Sequence, residues 1–215
     1  MNLPPAILLE MHYFPTIQYW CKLLQYPEVH IEQWENYKKG SYRNRCYIAT
    51  ANGPLRLSIP LKKGKNEQMP IREVQIAHDQ SWLSQHWTSI QSAYGNAPFF
   101  EHYAADIAPL FEKKWRFLFD FNWTIVQTLC DSLGLSPAFQ LTEAYQAQTQ
   151  HSILDGRNLI HPKSHLSPVD PHFQAQIYPQ VFVEKTGFLP NLSILDLLFC
   201  TGPQTLLLLE ECIQV

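Results

Sequence analysis

The first part of the chain has the hydrophobic pattern of a strand, a helix and a second strand. Residues 6–11 form an apolar run of strand length. Apolar residues at helical spacing follow over 17–24, between Thr16, a residue type that often precedes helices, and Pro27, which ends one. Residues 29–33 predict a second short strand. A unit of this kind is typical of the right-handed βαβ start of α/β folds.

A different pattern follows, in which residues 46–51 and 55–61 alternate on either side of Asn52-Gly53. Asn-Gly between alternating segments indicates a β-hairpin, because both turn positions need a positive φ. From Ser81 onwards the period is mostly helical, although the proline-containing stretch 145–180 predicts a long functional or partly mobile loop. We therefore predict one α/β domain over residues 1–215, with a Rossmann-like mixed sheet, an inserted antiparallel hairpin and a helical C-terminal half.

Composition excludes several classes of protein. No Lys or Arg precedes the first apolar run, and no stretch reaches the roughly 20 apolar residues that a membrane span needs. The five cysteines are dispersed and odd in number, which favours reduced, mostly buried thiols over disulfides or a zinc site. We expect a cytoplasmic protein with no metal and no assigned cofactor. Charged residues make up only 16% of the chain, so a partner or a second copy, as in a homodimer, could cover some apolar surface.

Positive charge is concentrated between Lys38 and Arg72, where nine basic residues occur with one acidic residue, Glu67. Arg43 and Arg45 flank Asn44 in a short turn, and arginine suits the capture of phosphate or carboxylate. The lysines of this segment are equally typical of a solvated hairpin edge. The net charge of −3 and the absence of a reading motif argue against nucleic acid. The partner expected here is an anionic small molecule, such as a nucleotide-sugar or a phosphorylated donor.

Two loops contain further candidate site residues. His12 and Tyr13 follow the first strand, and ligands of open α/β sheets bind beyond the carboxyl ends of strands. The alternative is that the aromatic residues of this loop simply pack onto the core. The second loop is the polar stretch 155–165, where Gly156 and Pro162 permit sharp turns. It contains two candidates for acid–base catalysis and two for substrate binding, namely Asp155 and His161, and Arg157 and Lys163.

Three segments carry a resemblance to a known family. Residues 13–20, Tyr-Phe-Pro-Thr-Ile-Gln-Tyr-Trp, resemble the "YF-P-I-GY" opening of the WbqC-like proteins. Arg43-Asn44-Arg45-Cys46 followed by 57–63, Leu-Ser-Ile-Pro-Leu-Lys-Lys, resembles that family's "RN" followed by "L-x-I-P-V-K-K". The closing segment 192–199, Leu-Ser-Ile-Leu-Asp-Leu-Leu-Phe, is similar to the family's "LSIIDLLF". The chain departs from the family pattern at Gln18, where Gly is common, and at Cys200, where Asn is common.

The resemblance implies a function that the residues alone do not reveal. Some members of the family are encoded with surface-polysaccharide (O-antigen) genes, and glycine transfer onto a sugar has been suggested for some of them. The first hypothesis is therefore an amino-acid or acyl transferase, in which Arg43 and Arg45 hold an anionic donor and His161 or Asp155 handles the proton. Two alternatives stay open. One is a non-catalytic module that binds a phosphorylated ligand or a protein, and the other is a nucleotidylyl-type enzyme that uses ATP and magnesium.

Overall fold

The protein is seen in a computed structural model that describes residues 4–149 and 151–214. Its elements are β1 (Ala6–Glu10), α1 (Ile17–Gln25), β2 (Glu28–Glu32), β3 (Arg45–Thr50), β4 (Gly53–Ser58), α2 (Trp82–Tyr94), α3 (Phe100–Ile107), α4 (Leu118–Leu133), β5 (Ala138–Leu141), β6 (Ile153–Asp155), α5 (Val183–Thr186), α6 (Ile194–Thr201) and α7 (Thr205–Glu211). Short 3₁₀ turns connect several of them, including one over Tyr42–Asn44.

The central sheet has four strands in the order β5-β2-β1-β6, and all three pairings are parallel. The prediction of a mixed sheet is therefore wrong. The antiparallel hairpin forms a separate two-stranded sheet and adds no antiparallel strand to the central one. β1 is buried along its whole length, as a central strand covered on both faces must be. The chain moves from β1 through β2 to β5 on one side, and then places β6 on the other side of β1. This arrangement leaves the β1/β6 boundary as the point where the direction of winding reverses.

The hairpin of β3 and β4 confirms the Asn-Gly prediction. The two strands pair antiparallel from Arg45 opposite Ser58 to Thr50 opposite Gly53. Gly53 has a φ of 96°, a conformation that a residue with a Cβ rarely adopts. The hairpin packs against α2 and α6, so it extends the hydrophobic core without hydrogen bonding to the parallel sheet.

The second half of the chain contains helices, as predicted, but it also supplies half of the parallel sheet. β5 and β6 have four and three residues, too few for a clear alternating pattern. α4 ends at Leu133, and Gly134 follows it as a C-cap with a left-handed φ of 67°. The prediction of one domain over 1–215 stays a prediction, although buried apolar residues from Ile7 to Cys212 form one contiguous core.

Two further expectations concern the cysteines and the membrane. All five cysteines are buried and unpaired, which confirms the reading of them as packed thiols. Among residues 4–149 and 151–214, no helix has the length and apolar character needed to cross a bilayer.

The described part of the stretch 145–180 is mainly irregular, and an ion pair attaches it to α1. Lys22 lies 2.8 Å from Asp170, and the side chain of Gln18 also donates a hydrogen bond to that carboxylate. Both charged side chains are at least nine-tenths buried. This attachment holds the loop after β6 against α1.

Candidate ligand-binding site

The loop after β1, residues 11–16, is filled by its own aromatic side chains. Tyr13 is fully buried, and its hydroxyl lies 2.9 Å from Nδ1 of His86 in α2. Phe14 is stacked on Phe111 at 6.0 Å. His12 is 1% exposed and lies between the rings of Tyr19 and Tyr42. Neither His12 nor Tyr13 is presented to solvent, so the structure does not bring these two predicted binding residues to an open site.

The N terminus of α1 offers no free backbone N–H to a phosphate. The N–H of Ile17 donates to the carbonyl of Leu192, and the N–H of Gln18 donates to Oδ1 of Asn191. The next two N–H groups both donate to the carbonyl of Thr16. A helix N terminus binds anions through such groups when they are free. The nucleotidylyl-type hypothesis therefore lacks its expected phosphate cradle at α1.

Below the carboxyl end of the sheet lies a buried group of charges centred on Arg43. Its Nε and one terminal nitrogen donate to the two carboxylate oxygens of Glu35, each at 2.7 Å. A second terminal nitrogen lies 3.6 Å from Glu10, the last residue of β1. Arg43 is 0% exposed. Arg43, predicted to bind an anionic ligand, is therefore occupied by two carboxylates of the protein itself.

Burial and Arg43 together set the ionisation of these carboxylates. Burial alone raises the pKa of Glu10, but the charge of Arg43 and a contact with His12 outweigh it and lower the pKa to about 2. Burial also raises the pKa of Glu35; there the hydrogen bonds from Arg43 oppose the shift without reversing it. A single guanidinium cannot fully compensate two buried carboxylates, so Glu35 is the one that accepts a proton more readily. Burial lowers the pKa of His12, whose ring is neutral at pH 7.

An open cleft of about 760 Å³ lies above this buried group. We call it the first cleft; its walls come from the loops after β2 and β6 and from residues 145–147. Three aromatic rings, three carboxylates and two cations are among its lining side chains: Trp34, Tyr37, Tyr145, Glu35, Glu67, Asp155, Lys38 and Arg157. Ligands of open parallel sheets bind at this edge, close to the point where the winding reverses.

Two predicted residues, Asp155 and Arg157, meet in the wall of the first cleft. The guanidinium of Arg157 donates to both oxygens of Asp155, at 2.9 and 2.6 Å, and also to Glu32 at 3.4 Å. Burial alone raises the pKa of Asp155, but hydrogen bonds from Arg157 outweigh it and lower the pKa. Asp155 is therefore an ionised hydrogen-bond acceptor at neutral pH and a weak base.

The basic segment and the loop after β6 converge at the same place. Lys38 Nζ donates to Oδ1 of Asn158 at 2.9 Å, and the N–H of Asn158 donates to both oxygens of Glu10 at 3.0 Å. The loop can approach this closely because residue 156 is glycine; a Cβ there would lie 2.8 Å from the side chain of Leu9. Segments more than a hundred residues apart in sequence thus form one wall.

His161 and Lys163 lie farther along the same loop, and neither lines the first cleft. Nδ1 of His161 accepts a hydrogen bond from the N–H of Lys163 at 3.1 Å. This contact leaves the proton of the neutral ring on Nε2 and makes that atom a donor. Burial lowers the pKa of His161, and the ring also feels the charges of Arg43 and Glu10. Lys163 is exposed.

Asn44 and Arg45, the remaining predicted residues, line a second cleft of about 550 Å³. This second cleft shares Tyr37 and Glu67 with the first cleft. Asn44 is buried, and its Nδ2 donates to the carbonyl of Ile59. The structure therefore separates the two arginines that the sequence placed together, since Arg43 lies in the buried group and Arg45 in an open cleft.

Sequence reasoning missed three glutamates of the site: Glu10, Glu32 and Glu35. A signal was available for two of them. The apolar strands β1 and β2 each end in glutamate, and Glu10 and Glu32 are register partners in the parallel sheet. An acidic residue at the same end of two buried parallel strands indicates a polar site at that edge. No comparable pattern marks Glu35, which follows Trp34 in an irregular loop.

The side chains of the site do not form a metal centre. Within the described ranges 4–149 and 151–214, no three His, Cys, Asp or Glu residues are grouped closely enough to hold an ion. The carboxylates are instead neutralised by Arg43 and Arg157.

The fold and the site define an α/β protein with an open cleft lined by the loops that follow β2 and β6 of its parallel sheet. The chain belongs to the WbqC-like protein family, whose sequence model matches residues 11–207. It is similar to the uncharacterized protein Rv1507c of Mycobacterium tuberculosis, with 26% identity over 234 residues that cover 96% of this chain and 98% of the relative. No solved structure matches the chain.

Proposed function

We propose that the protein is a transferase that moves an amino-acid (glycyl) or other small acyl group onto a sugar during bacterial surface-polysaccharide synthesis. The family supports this role through the chemistry suggested for some of its members. The observation that carries the proposal is the first cleft, where aromatic rings and carboxylates lie side by side at the carboxyl edge of the sheet. Sugar hydroxyls donate hydrogen bonds to carboxylates, and the C–H faces of a sugar pack on aromatic rings.

The strand order supports a Rossmann-like fold for this transferase. Numbered by their appearance in the chain, the parallel strands lie in the order third, second, first, fourth. This is the first part of the order found in doubly wound nucleotide-binding folds. The loop after β1 departs from that pattern, since aromatic side chains replace its glycines.

Two carboxylates have separate roles in the proposed reaction. Asp155 is ionised and lines the cleft, so it accepts a hydrogen bond from the acceptor hydroxyl and orients it. Glu35 also lines the cleft, and its raised pKa makes it the stronger base. The sugar oxygen attacks the carbonyl carbon of an activated acyl donor, its proton passes to Glu35, and the donor's leaving group departs with the bonding electrons. His161 lies outside the first cleft, so its proposed role, in which Nε2–H stabilises the developing oxyanion, requires a movement of the loop after β6 towards the donor.

The test is sugar binding in the first cleft. Saturation-transfer NMR with a hexose, an N-acetylhexosamine and a hexuronic acid should detect a ligand for the wild-type protein. Asp155→Asn should weaken that binding about tenfold, since a hydrogen bond to a charged group is lost. Asp79→Asn, the same chemical change at an exposed position outside the first cleft, should leave binding unchanged. Failure of all three sugars to bind would refute the proposal.

Transfer is tested separately from binding. The protein is incubated with the bound sugar and a small-molecule extract, and the sugar is then analysed by mass spectrometry for an added acyl group. Glu35→Gln should abolish product formation and change sugar affinity less than Asp155→Asn does. Sugar binding by the wild-type protein without any acylated product would indicate the binding module instead of the transferase.

A further inference from the structure

The second cleft has an excess of positive charge. Lys39, Arg45 and Lys65 contribute to its walls, and Glu67 is the one carboxylate among its lining residues. None of these three cations forms an ion pair within the part of the chain that the structure describes. Cations that share a concave surface reinforce one another's field and attract anions more strongly than the same charges on a flat surface.

Arg45 also has an unsatisfied group in this cleft. Its Nε is inaccessible to solvent and has no hydrogen-bond partner. A buried N–H without an acceptor is unfavourable, so a turn of the Arg45 side chain that brings this group to an anion in the cleft would be favoured. The Oδ1 of Asn44 is likewise buried without a donor, while its Nδ2 is fixed by the carbonyl of Ile59.

We infer that the second cleft is a phosphoryl-binding subsite in which Arg45, Lys39 and Lys65 hold the phosphate of the donor or of a phosphorylated sugar. A phosphate has three peripheral oxygens for three cations, whereas a carboxylate has two, and arginine binds phosphate through a pair of N–H groups. Tyr37 and Glu67 belong to both clefts, so a phosphate in the second cleft would lie next to the sugar in the first. The identity of that neighbour rests on the proposed function, but phosphate binding itself does not.

The experiment is calorimetric titration with inorganic phosphate and pyrophosphate at low ionic strength. Arg45→Gln, which removes the charge and keeps a polar side chain, should raise the Kd about tenfold, and Lys65→Gln should raise it in the same direction. Lys63→Gln is the matched control, because Lys63 is an exposed lysine of the same loop that does not line the second cleft. Its Kd should stay within about twofold of the wild-type value. Thermal unfolding curves establish that each variant is folded.

Further arms identify the source of the phosphoryl group. Titration with a hexose 1-phosphate and with a nucleoside diphosphate distinguishes a phosphorylated sugar from a nucleotide, and Arg45-dependent binding of either supports the subsite. Equal affinity for acetate and phosphate would overturn it in favour of a carboxylate site. Phosphate binding that Arg45→Gln and Lys65→Gln leave unchanged would also overturn it. Asp155→Asn should leave phosphate affinity intact, so loss of the sugar site and loss of the phosphoryl subsite remain distinguishable.

Discussion

The loop after β1 and the loops after β2 and β6 end strands of the same parallel sheet, but they differ in what they present. The first is closed by Tyr13, Phe14 and the capped N terminus of α1. The others are open and carry charged and aromatic side chains around the first cleft. The loop after the central strand β1, a position that often binds ligands in such sheets, therefore packs against the core. The polar side chains lie instead in the loops that follow its two neighbouring strands, β2 and β6.

The largest effect is expected at Arg43, which contacts Glu10 at the end of β1 and Glu35 after β2. Arg43→Met would leave two buried carboxylates without their cation. Breaking a buried ion pair in this way costs about 3–5 kcal/mol in the free energy of unfolding. Urea denaturation followed by tryptophan fluorescence measures that cost.

Arg45→Met is the matched control, since Arg45 lies two residues away and forms no ion pair among the described residues. It should lower the free energy of unfolding by no more than about 1 kcal/mol. An equal loss of unfolding free energy in the two variants would show that the buried charges around Arg43 do not stabilise the contact between the loop after β2 and the end of β1.

The sequence predicted the elements whose signals are local. The hairpin follows from Asn52-Gly53, and α1 follows from the helical spacing of apolar residues between Thr16 and Pro27. The strands β5 and β6 could not be recognised, because they are short and become strands only by pairing with β2 and β1. For a similar reason, the sequence predicted the same role, binding of an anionic ligand, for Arg43 and Arg45. Their difference comes from Glu35, which a separate loop places against Arg43 and not against Arg45.

The second prediction concerns how protein stability depends on pH through the loop after β1, where the Tyr13 hydroxyl contacts His86. Burial lowers the pKa of His86 from 6.5 to about 4. Because the folded-state pKa is depressed, the unfolded chain binds the proton first, and stability present above pH 6.5 is lost as the pH falls towards 4. The loss from this group is about 3 kcal/mol.

Unfolding free energies measured from pH 7 to pH 4 for the wild-type protein and for His86→Gln check this prediction. Between pH 7 and pH 4, the free energy of unfolding should fall less for His86→Gln than for the wild-type protein. Some pH dependence should remain in it, because burial also lowers the pKa of His12. Glu10, whose pKa is lowered from 4.5 to about 2, loses its contribution mainly below pH 4.5. It is present in both proteins and does not account for the difference. Parallel curves for the two proteins would contradict a buried neutral His86 beside Tyr13.

The smallest effect is expected at Asn191, whose Oδ1 accepts the N–H of Gln18 at the start of α1. Asn191 has a φ of 52°, so Asn191→Gly removes the cap and keeps a residue that tolerates this conformation. Loss of the cap should cost roughly a few tenths of a kcal/mol in the free energy of unfolding, measured by urea denaturation, because glycine replaces a capping residue at a smaller cost than alanine does. Inorganic phosphate affinity should not change, because Tyr13 and Phe14 still fill the loop. A gain in phosphate affinity would mean that one side chain, and not the aromatic packing, keeps anions from the end of β1.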